Sequence, residues 1–397
     1  MPRVELDKHR ITRLDGRRFF LIGARHMPEG GTPALLYEAG FNAFRLTAFG
    51  TETNQPEPVP EDLSGLYFWS YLFNRADLTQ SPRHAPQLRK LVAHLHDHPA
   101  LLCYENYNEP TLHRTRFKTE PEHLAEGTRV IRECDPHHPI WLAHSCSNTV
   151  ETLQRFNLCA EILGCNPYPV YVSGTRRHVG FLEDGRVLDC PDQSLHAVGR
   201  YTQKMMSVAE GRPVWMLVQA MANESWYSPV HTPQFASQGV DASKILYPTF
   251  EQMRFMAFDA IVHGATGIAL AMYRTPVGGE VWKSITKLVG QLRQLHDALA
   301  APPVLDCASI EYVDLGHTIW DGVRLLIRRS NDVLFVFAVN TAREPVEVAI
   351  QLPVATRSPA IVEHEERQVL VSRDRLCDRF EPFEVHVYRI KCRVDQS

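Results

Sequence analysis

The apolar run Ala100-Leu101-Leu102-Cys103-Tyr104-Glu105-Asn106 leads through Tyr107 into Asn108-Glu109-Pro110, where an amide and a carboxyl stand side by side and a proline closes the segment. A carboxyl at the exit of a strand can protonate a leaving oxygen. That chemistry calls for a second carboxylate, which attacks the reacting carbon or activates a water. Glu224, in Asn223-Glu224-Ser225-Trp226, is the favoured second candidate, with Glu280 and Asp241 as remoter ones. The plain alternative for either glutamate is a solvated loop side chain; the strand context argues against it for Glu109, while for Glu224 the two readings stay balanced. Glu105 shares strand parity with Glu109, so it is expected to point inward and to need a partner there, as a structural group.

A second cluster invites a metal. His94 and His98 of His94-Leu95-His96-Asp97-His98 share a helix face at four-residue spacing. The segment precedes the run that carries Glu109, which puts it at the opposite end from the chemistry, and neither a metal nor any other cofactor is expected.

Short apolar runs alternating with longer amphipathic segments supply the elements that must position these residues. The runs are Phe19 to Ala24, Phe41 to Thr47, Leu66 to Phe73, Ala100 to Asn106, Ile140 to His144, Glu161 to Cys165, Val214 to Gln219 and Gly267 to Met272. Several are apolar without alternation, as strands covered on both faces are, and eight of them fit a closed (β/α)8 barrel better than an open sheet. Helical patterns fall at Ala85 to His96, Pro121 to Cys134, Leu195 to Glu210, Thr249 to Val262 and Glu280 to Leu299, whereas Thr51 to Glu61 leaves no room for a full helix. After Ala301-Pro302-Pro303 the periodicity becomes that of strands, in Val323 to Arg329, Val333 to Asn340, Val346 to Leu352 and Glu384 to Ile390. The expected organisation is an α/β barrel over residues 1–302, opening with a short hairpin across the barrel floor, and a small all-β sandwich over 303–397.

The strand-four Asn108-Glu109 pair resembles the hallmark of the large clan of (β/α)8 glycoside hydrolases that includes β-galactosidases, cellulases and mannanases. Gly40-Phe41-Asn42-Ala43-Phe44-Arg45 is similar to that clan's second strand, Asp135-Pro136-His137-His138-Pro139-Ile140 to the lead into its fifth, and Asn166-Pro167-Tyr168-Pro169 to the exit of its sixth. The resemblance implies a glycosidase acting on β-linked sugars, with Glu109 as acid/base, Asn108 holding a sugar hydroxyl, Arg45 keeping a nearby carboxylate ionised, and Tyr168 near the nucleophile. It implies a glutamate at the end of strand seven as well, yet that run ends in Gln219-Ala220. An amide cannot be the nucleophile, so Gln219 is expected among the substrate-binding groups and Glu224 inherits the carboxylate role. A catalytically silent carbohydrate-binding barrel and a barrel enzyme of different chemistry are the alternatives.

Other strand-exit residues are placed where sugar hydroxyls would be met: His26, His144 and Tyr273, each able to donate or accept. Trp69, Tyr71, Trp226 and Tyr227 are candidate stacking platforms, although packing at the barrel rim accounts for aromatic residues equally well. The formal charge of −4, with 42 Lys and Arg scattered along the chain, gives no footprint for nucleic acid. No stretch reaches the roughly 18 to 20 apolar residues of a membrane span, and no apolar leader follows Met1, which suggests a cytoplasmic location and a glycoside or oligosaccharide as the binding partner. Nine widely spaced cysteines without a C-x-x-C pair read as free, mostly buried thiols.

Overall fold

The computed structural model describes residues 3–48, 58–111, 117–146, 148–170, 194–222, 246–304, 309–313, 321–356 and 358–392. Three short strands, β1 (Val4–Leu6), β2 (Thr12–Leu14) and β3 (Arg17–Phe19), form an antiparallel sheet at the N-terminus. Val4, Leu14 and Phe19 pack with Leu21, Leu102 and Trp215, so this sheet closes the barrel floor.

The barrel follows. Its strands are β4 (Leu21–Ala24), β5 (Ala43–Thr47), β6 (Tyr67–Tyr71), β7 (Leu101–Asn108), β8 (Ile140–His144), β9 (Ile162–Cys165), β10 (Trp215–Gln219) and β11 (Gly267–Ala271). They run parallel in the order β10-β11-β4-β5-β6-β7-β8-β9. A bridge from Leu163 to Val214, with Leu163 N donating to Pro213 O at 3.1 Å, joins the two edges. Burial on both faces explains why these strands carry so few polar residues. Each lies within two residues of an apolar run read from the sequence. The helices Pro33–Ala39, His84–Leu95, Pro121–Cys134, Val150–Gln154, Ala197–Ala209, Phe250–Val262 and Glu280–Gln294 form the outer layer. No helix lies among the described residues between β5 and β6, where the sequence leaves no room for one.

Two packing layers separate by strand parity. Leu21, Ala43, Trp69, Cys103, Trp141, Ile162, Trp215, Leu217 and Ala269 fill the interior, while their apolar neighbours in sequence, Leu102 excepted, pack outward on the helices. Trp69, Trp141 and Trp215 meet edge to face, at 5.5 and 5.4 Å between ring centroids. Three indoles fit because small residues face them. A Cβ on Gly164 would come within 1.8 Å of Trp215 O, so the sixth strand passes the seventh only as glycine.

Beyond the helix His296–Leu299 the chain forms two antiparallel sheets. One contains β12 (Ser309–Tyr312), β15 (Val346–Gln351), β18 (Val371–Ser372) and β19 (Arg375–Phe380). The other contains β13 (Val323–Ser330), β14 (Val333–Asn340), β16 (Ala360–Val362), β17 (Arg367–Val369) and β20 (Val385–Lys391). Their inner faces share a core of Val323, Val336, Val348, Ile350, Leu376 and Tyr388. The sandwich docks on the barrel through the helix Phe250–Val262, where Phe258 stacks on Phe337, Phe255 meets Phe383 edge-on, and Arg254 donates to Val385 O at 2.7 Å. All described cysteines are free. Among the described residues no helix is long and apolar enough to cross a membrane.

Candidate active site

Glu109 sits one residue past β7, on the strand-end face where a barrel of this kind carries its chemistry. Its backbone is left-handed, with φ of +55°, and its N–H donates to Ala143 O at 2.7 Å. A non-glycine residue in that region costs about 1–3 kcal/mol unless its surroundings hold it there. Here the neighbouring strand and Pro110 do so. Asn166, one residue past β9, donates from Nδ2 to Glu109 Oε1 at 2.7 Å, which fixes one carboxyl oxygen. Lys118 returns the chain to this point by donating its backbone N–H to Pro110 O at 2.7 Å. Burial lowers the Lys118 ammonium from its ordinary range, and Glu109 partly offsets that shift.

An irregularity in the pairing of β7 with β8, between Glu105 and Tyr107, turns both Glu105 and Asn108 inward although they are three residues apart. Arg25, one residue past β4, joins them. Its Nη1 lies 2.9 Å from Glu105 Oε1 in an ion pair, and its Nη2 donates to Asn108 Oδ1 at 2.6 Å. The other Glu105 oxygen accepts from Trp69 Nε1 at 2.9 Å. Glu105 is thus fully used as a structural anion under the site, and Trp69, 0% exposed, is barrel filling instead of a stacking platform.

Around this anchor lie Arg45, Tyr71, Tyr168, His26 and Tyr273. The Arg45 guanidinium covers the Tyr71 ring at 4.7 Å. Burial and the nearby Arg25 bring it down to about 10, with Glu105 pulling the other way. Tyr71 is pushed up to about 12 by burial and by Glu105. Tyr168 is raised by burial, with Arg25 opposing and Glu109 reinforcing the shift, so both phenols stay protonated as hydrogen-bonding groups. His26 packs edge-on against Tyr273 at 5.6 Å, and its imidazole is held neutral by burial and by Arg45 and Arg25.

The structure thus gathers Glu109, Asn108, Arg45, His26, Tyr168 and Tyr273 on one face. His144 does not join them. Trp141 and Ala143 face inward, so His144 faces the helices, where its ring meets Phe156 edge-on and burial drives its pKa to about 3. Glu224, Trp226, Tyr227 and Asp241 fall outside the described residues, and Glu280 begins an outer helix with its side chain 87% exposed. His98 of the histidine cluster accepts at Nδ1 from Ala100 N at 3.1 Å. Among the described residues, the group with metal-ligand spacing is instead His196, Asp259 and His263 in the helix layer. There His263 Nδ1 lies 2.7 Å from the Asp259 carbonyl oxygen, which makes that nitrogen a donor and the group a buried hydrogen-bond anchor.

Gln219 is on the inner face of the seventh strand, 0% exposed, with its amide already engaged. Its Oε1 accepts from Val170 N at 2.9 Å, and its Nε2 donates to Val170 O at 2.6 Å and Met221 O at 3.1 Å. This clasp ties the chain after Tyr168 to the end of β10. A carboxylate cannot make the two donations, so Gln219→Glu is expected to lower stability by about 1–3 kcal/mol in urea unfolding. An unchanged midpoint would mean that the amide is not needed there.

Arg25, Asn166 and Lys118 lie at the site although sequence reasoning gave them no role there, while Glu105 is the inward anion that its strand parity predicts. For Arg25 a signal existed, since alternation from Leu21 and Gly23 carries inward to residue 25.

The described residues thus form an eight-stranded parallel barrel followed by two antiparallel sheets, with the Glu109 carboxyl at the exit of strand four. No family model matches the sequence, and no curated protein matches it. Solved structures do match in fold. A glycoside hydrolase is similar over 98% of this chain and 97% of its own, with a TM-score of 0.58 and 14% identity. The β-galactosidase of Bacillus circulans sp. alkalophilus is similar over 94% of this chain and 99% of its own, at a TM-score of 0.57 and 8% identity. An α-amylase of Geobacillus thermoleovorans, solved with acarbose, covers 91% of this chain and 92% of its own, at 0.53 and 11%. These likenesses define the fold; the family within it is not identified.

Proposed function

We propose that this chain is a glycoside hydrolase in which Glu109 is the general acid/base, acting on β-linked substrates. The observation that carries the reading is the Glu109 carboxyl at the strand-four exit, with one oxygen held by Asn166 and the adjacent Asn108 locked by Arg25. Fixing one oxygen aims the other at a leaving group, which is what proton transfer in the transition state requires. Asn108, His26, Tyr168 and Tyr273 would meet sugar hydroxyls, Tyr168 as a neutral phenol and His26 as a neutral imidazole.

Glu105 cannot serve as the second carboxylate, because both of its oxygens are taken by Arg25 and Trp69. Glu224, five residues past Gln219 in sequence and outside the described residues, is the proposed partner. The commitment of Gln219 to backbone groups favours a second reading, a barrel that binds carbohydrate without cleaving it.

The test is sugar release from a panel of aryl glycosides and oligosaccharides of both anomeric configurations, with Glu224→Gln beside the wild type. The expected result is release from at least one β-linked substrate, and loss of that release with sugar binding retained in Glu224→Gln. Release from none of the panel would move the function to silent binding. Normal turnover by Glu224→Gln would remove Glu224 from the mechanism.

A further inference from the structure

Strand β20 sends its side chains two ways. Val385 and Val387 pack into the barrel's core, and Arg254 of the helix Phe250–Val262 donates from Nη1 to Val385 O at 2.7 Å. His386, between them, turns into the sandwich and is buried there. A neutral histidine is satisfied when one ring nitrogen donates and the other accepts. Here both nitrogens face acceptors. Nδ1 lies 3.1 Å from the Tyr388 hydroxyl and 3.1 Å from Asp378 Oδ2, and that hydroxyl donates its own proton to Asp378 Oδ2 at 2.6 Å, so its oxygen is left to accept. Nε2 lies 3.3 Å from Glu384 Oε2 and 4.0 Å from Glu365 Oε1. One N–H serves one side only; the imidazolium serves both.

Around the ring, β14 presents Ala338, β19 supplies Asp378 and the Phe380 ring at 4.2 Å between centroids, β17 supplies Arg367, and the turn before β17 supplies Glu365. Arg367 Nη2 lies 3.2 and 3.0 Å from the two ring nitrogens, a like charge that opposes protonation, but Arg367 is itself bound to Asp378 and Glu365. Burial opposes protonation too; Asp378 and Glu384 outweigh it and hold the imidazole above its ordinary value of 6.5. Against the effect of burial, hydrogen bonds from His386, Arg367 and Tyr388 keep Asp378 below the usual carboxylate range, His386 does the same for Glu384, and burial pushes the Tyr388 phenol up. His364, in the same turn as Glu365, is lowered by burial and by Arg254, so it is neutral before His386 loses its proton. As pH rises past neutrality, His386 is the member of this cluster that changes charge. Arg254, lowered by burial, is partly restored by Glu365 and Glu384, so the carboxylates that face Nε2 also face the arginine of the barrel helix.

We infer that the His386 imidazolium is a pH-sensitive clasp for the seat of the sandwich on the barrel. Charged, it draws β19, the β16–β17 turn and the start of β20 together behind Val385 and Val387; neutral, it leaves the three carboxylates to the two arginines and loosens that seat. Because the folded value is raised, the clasp is complete below 6.5 and is lost as pH rises through the folded value. It does not depend on what Glu109 does.

Urea unfolding of the full chain, wild type beside His386→Gln, from about pH 6 to about pH 9 tests the clasp. Gln keeps a donor in the place of the ring but carries no charge. The wild-type midpoint, read against that of the variant at each pH, is expected to stand highest at the acid end and to lose that margin as pH rises. Glu384→Gln leaves the ring untouched and removes a carboxylate that is 37% exposed, so the loss should begin there at lower pH. Hydrogen exchange of the wild type, corrected for its intrinsic pH dependence, should quicken in Val385–Lys391 and in Phe250–Val262 together over the same range. Should His386→Gln fail to fold, Glu384→Gln and the exchange carry the same decision. Midpoints of wild type and His386→Gln that run parallel, a Glu384→Gln profile that coincides with the wild type's, or exchange that quickens in β20 alone would each overturn the inference.

Discussion

Glu109→Gln is expected to lower turnover of glycosides with poor leaving groups by about 10²- to 10⁴-fold, the usual contribution of a positioned general acid. The substitution is well suited to the site. Gln keeps the shape of Glu, bears the same cost at a φ of +55°, and can still accept from Asn166 Nδ2 through its side-chain oxygen. What it lacks is a proton that can be given up at neutral pH. Aryl glycosides whose leaving group departs without protonation should therefore be less affected, and comparison of the two substrate types separates lost acid catalysis from a damaged fold. Steady-state rates for both types, together with melting curves, check the prediction. An equal loss on both would argue against the acid role, and an undiminished rate would remove Glu109 from the mechanism.

The barrel was legible in the sequence because its signal is one-dimensional. Strands covered on both faces are runs of apolar residues, and β4 and β11 show it in Leu-Ile-Gly-Ala and Gly-Ile-Ala-Leu-Ala, buried throughout. The site was less legible because it depends on which face each strand-end residue takes. His144 follows its run as His26 does, yet the alternation of Trp141 and Ala143 turns it to the helices. Arg25 lies one residue beyond the apolar run and escapes a reading that stops there. Glu105 was legible as an inward anion needing a partner, whereas its convergence with Asn108 on one arginine depends on the irregularity after Glu105, which leaves no mark in the residue types. Gln219 shows the opposite limit. The sequence displays an amide where the resemblance implies a carboxylate, but the reason, a clasp on Val170, exists only in three dimensions.

The second large effect is expected from Glu105→Leu. Arg25 and Glu105 are 2% and 0% exposed, so removing the carboxylate leaves a charge without water or counterion and a Trp69 N–H without an acceptor. Breaking such a pair on one side typically costs about 3–5 kcal/mol, whereas replacing both partners by apolar groups is often nearly neutral, because the desolvation of both ions is then avoided. Arg25→Met with Glu105→Leu should therefore regain much of the stability lost in the single variant, and urea unfolding of the four proteins measures the coupling. Regained stability should not bring regained function. Arg25 Nη2 holds Asn108 Oδ1 at 2.6 Å, and methionine offers no donor for that contact, so the double variant would present Glu109 beside an untethered Asn108. A single variant as stable as the wild type would mean that the ion pair is not dry. A double variant that is both stable and fully active would mean that Arg25 serves neither fold nor site, and that the alignment of Asn108 and Glu109 comes from the strand alone.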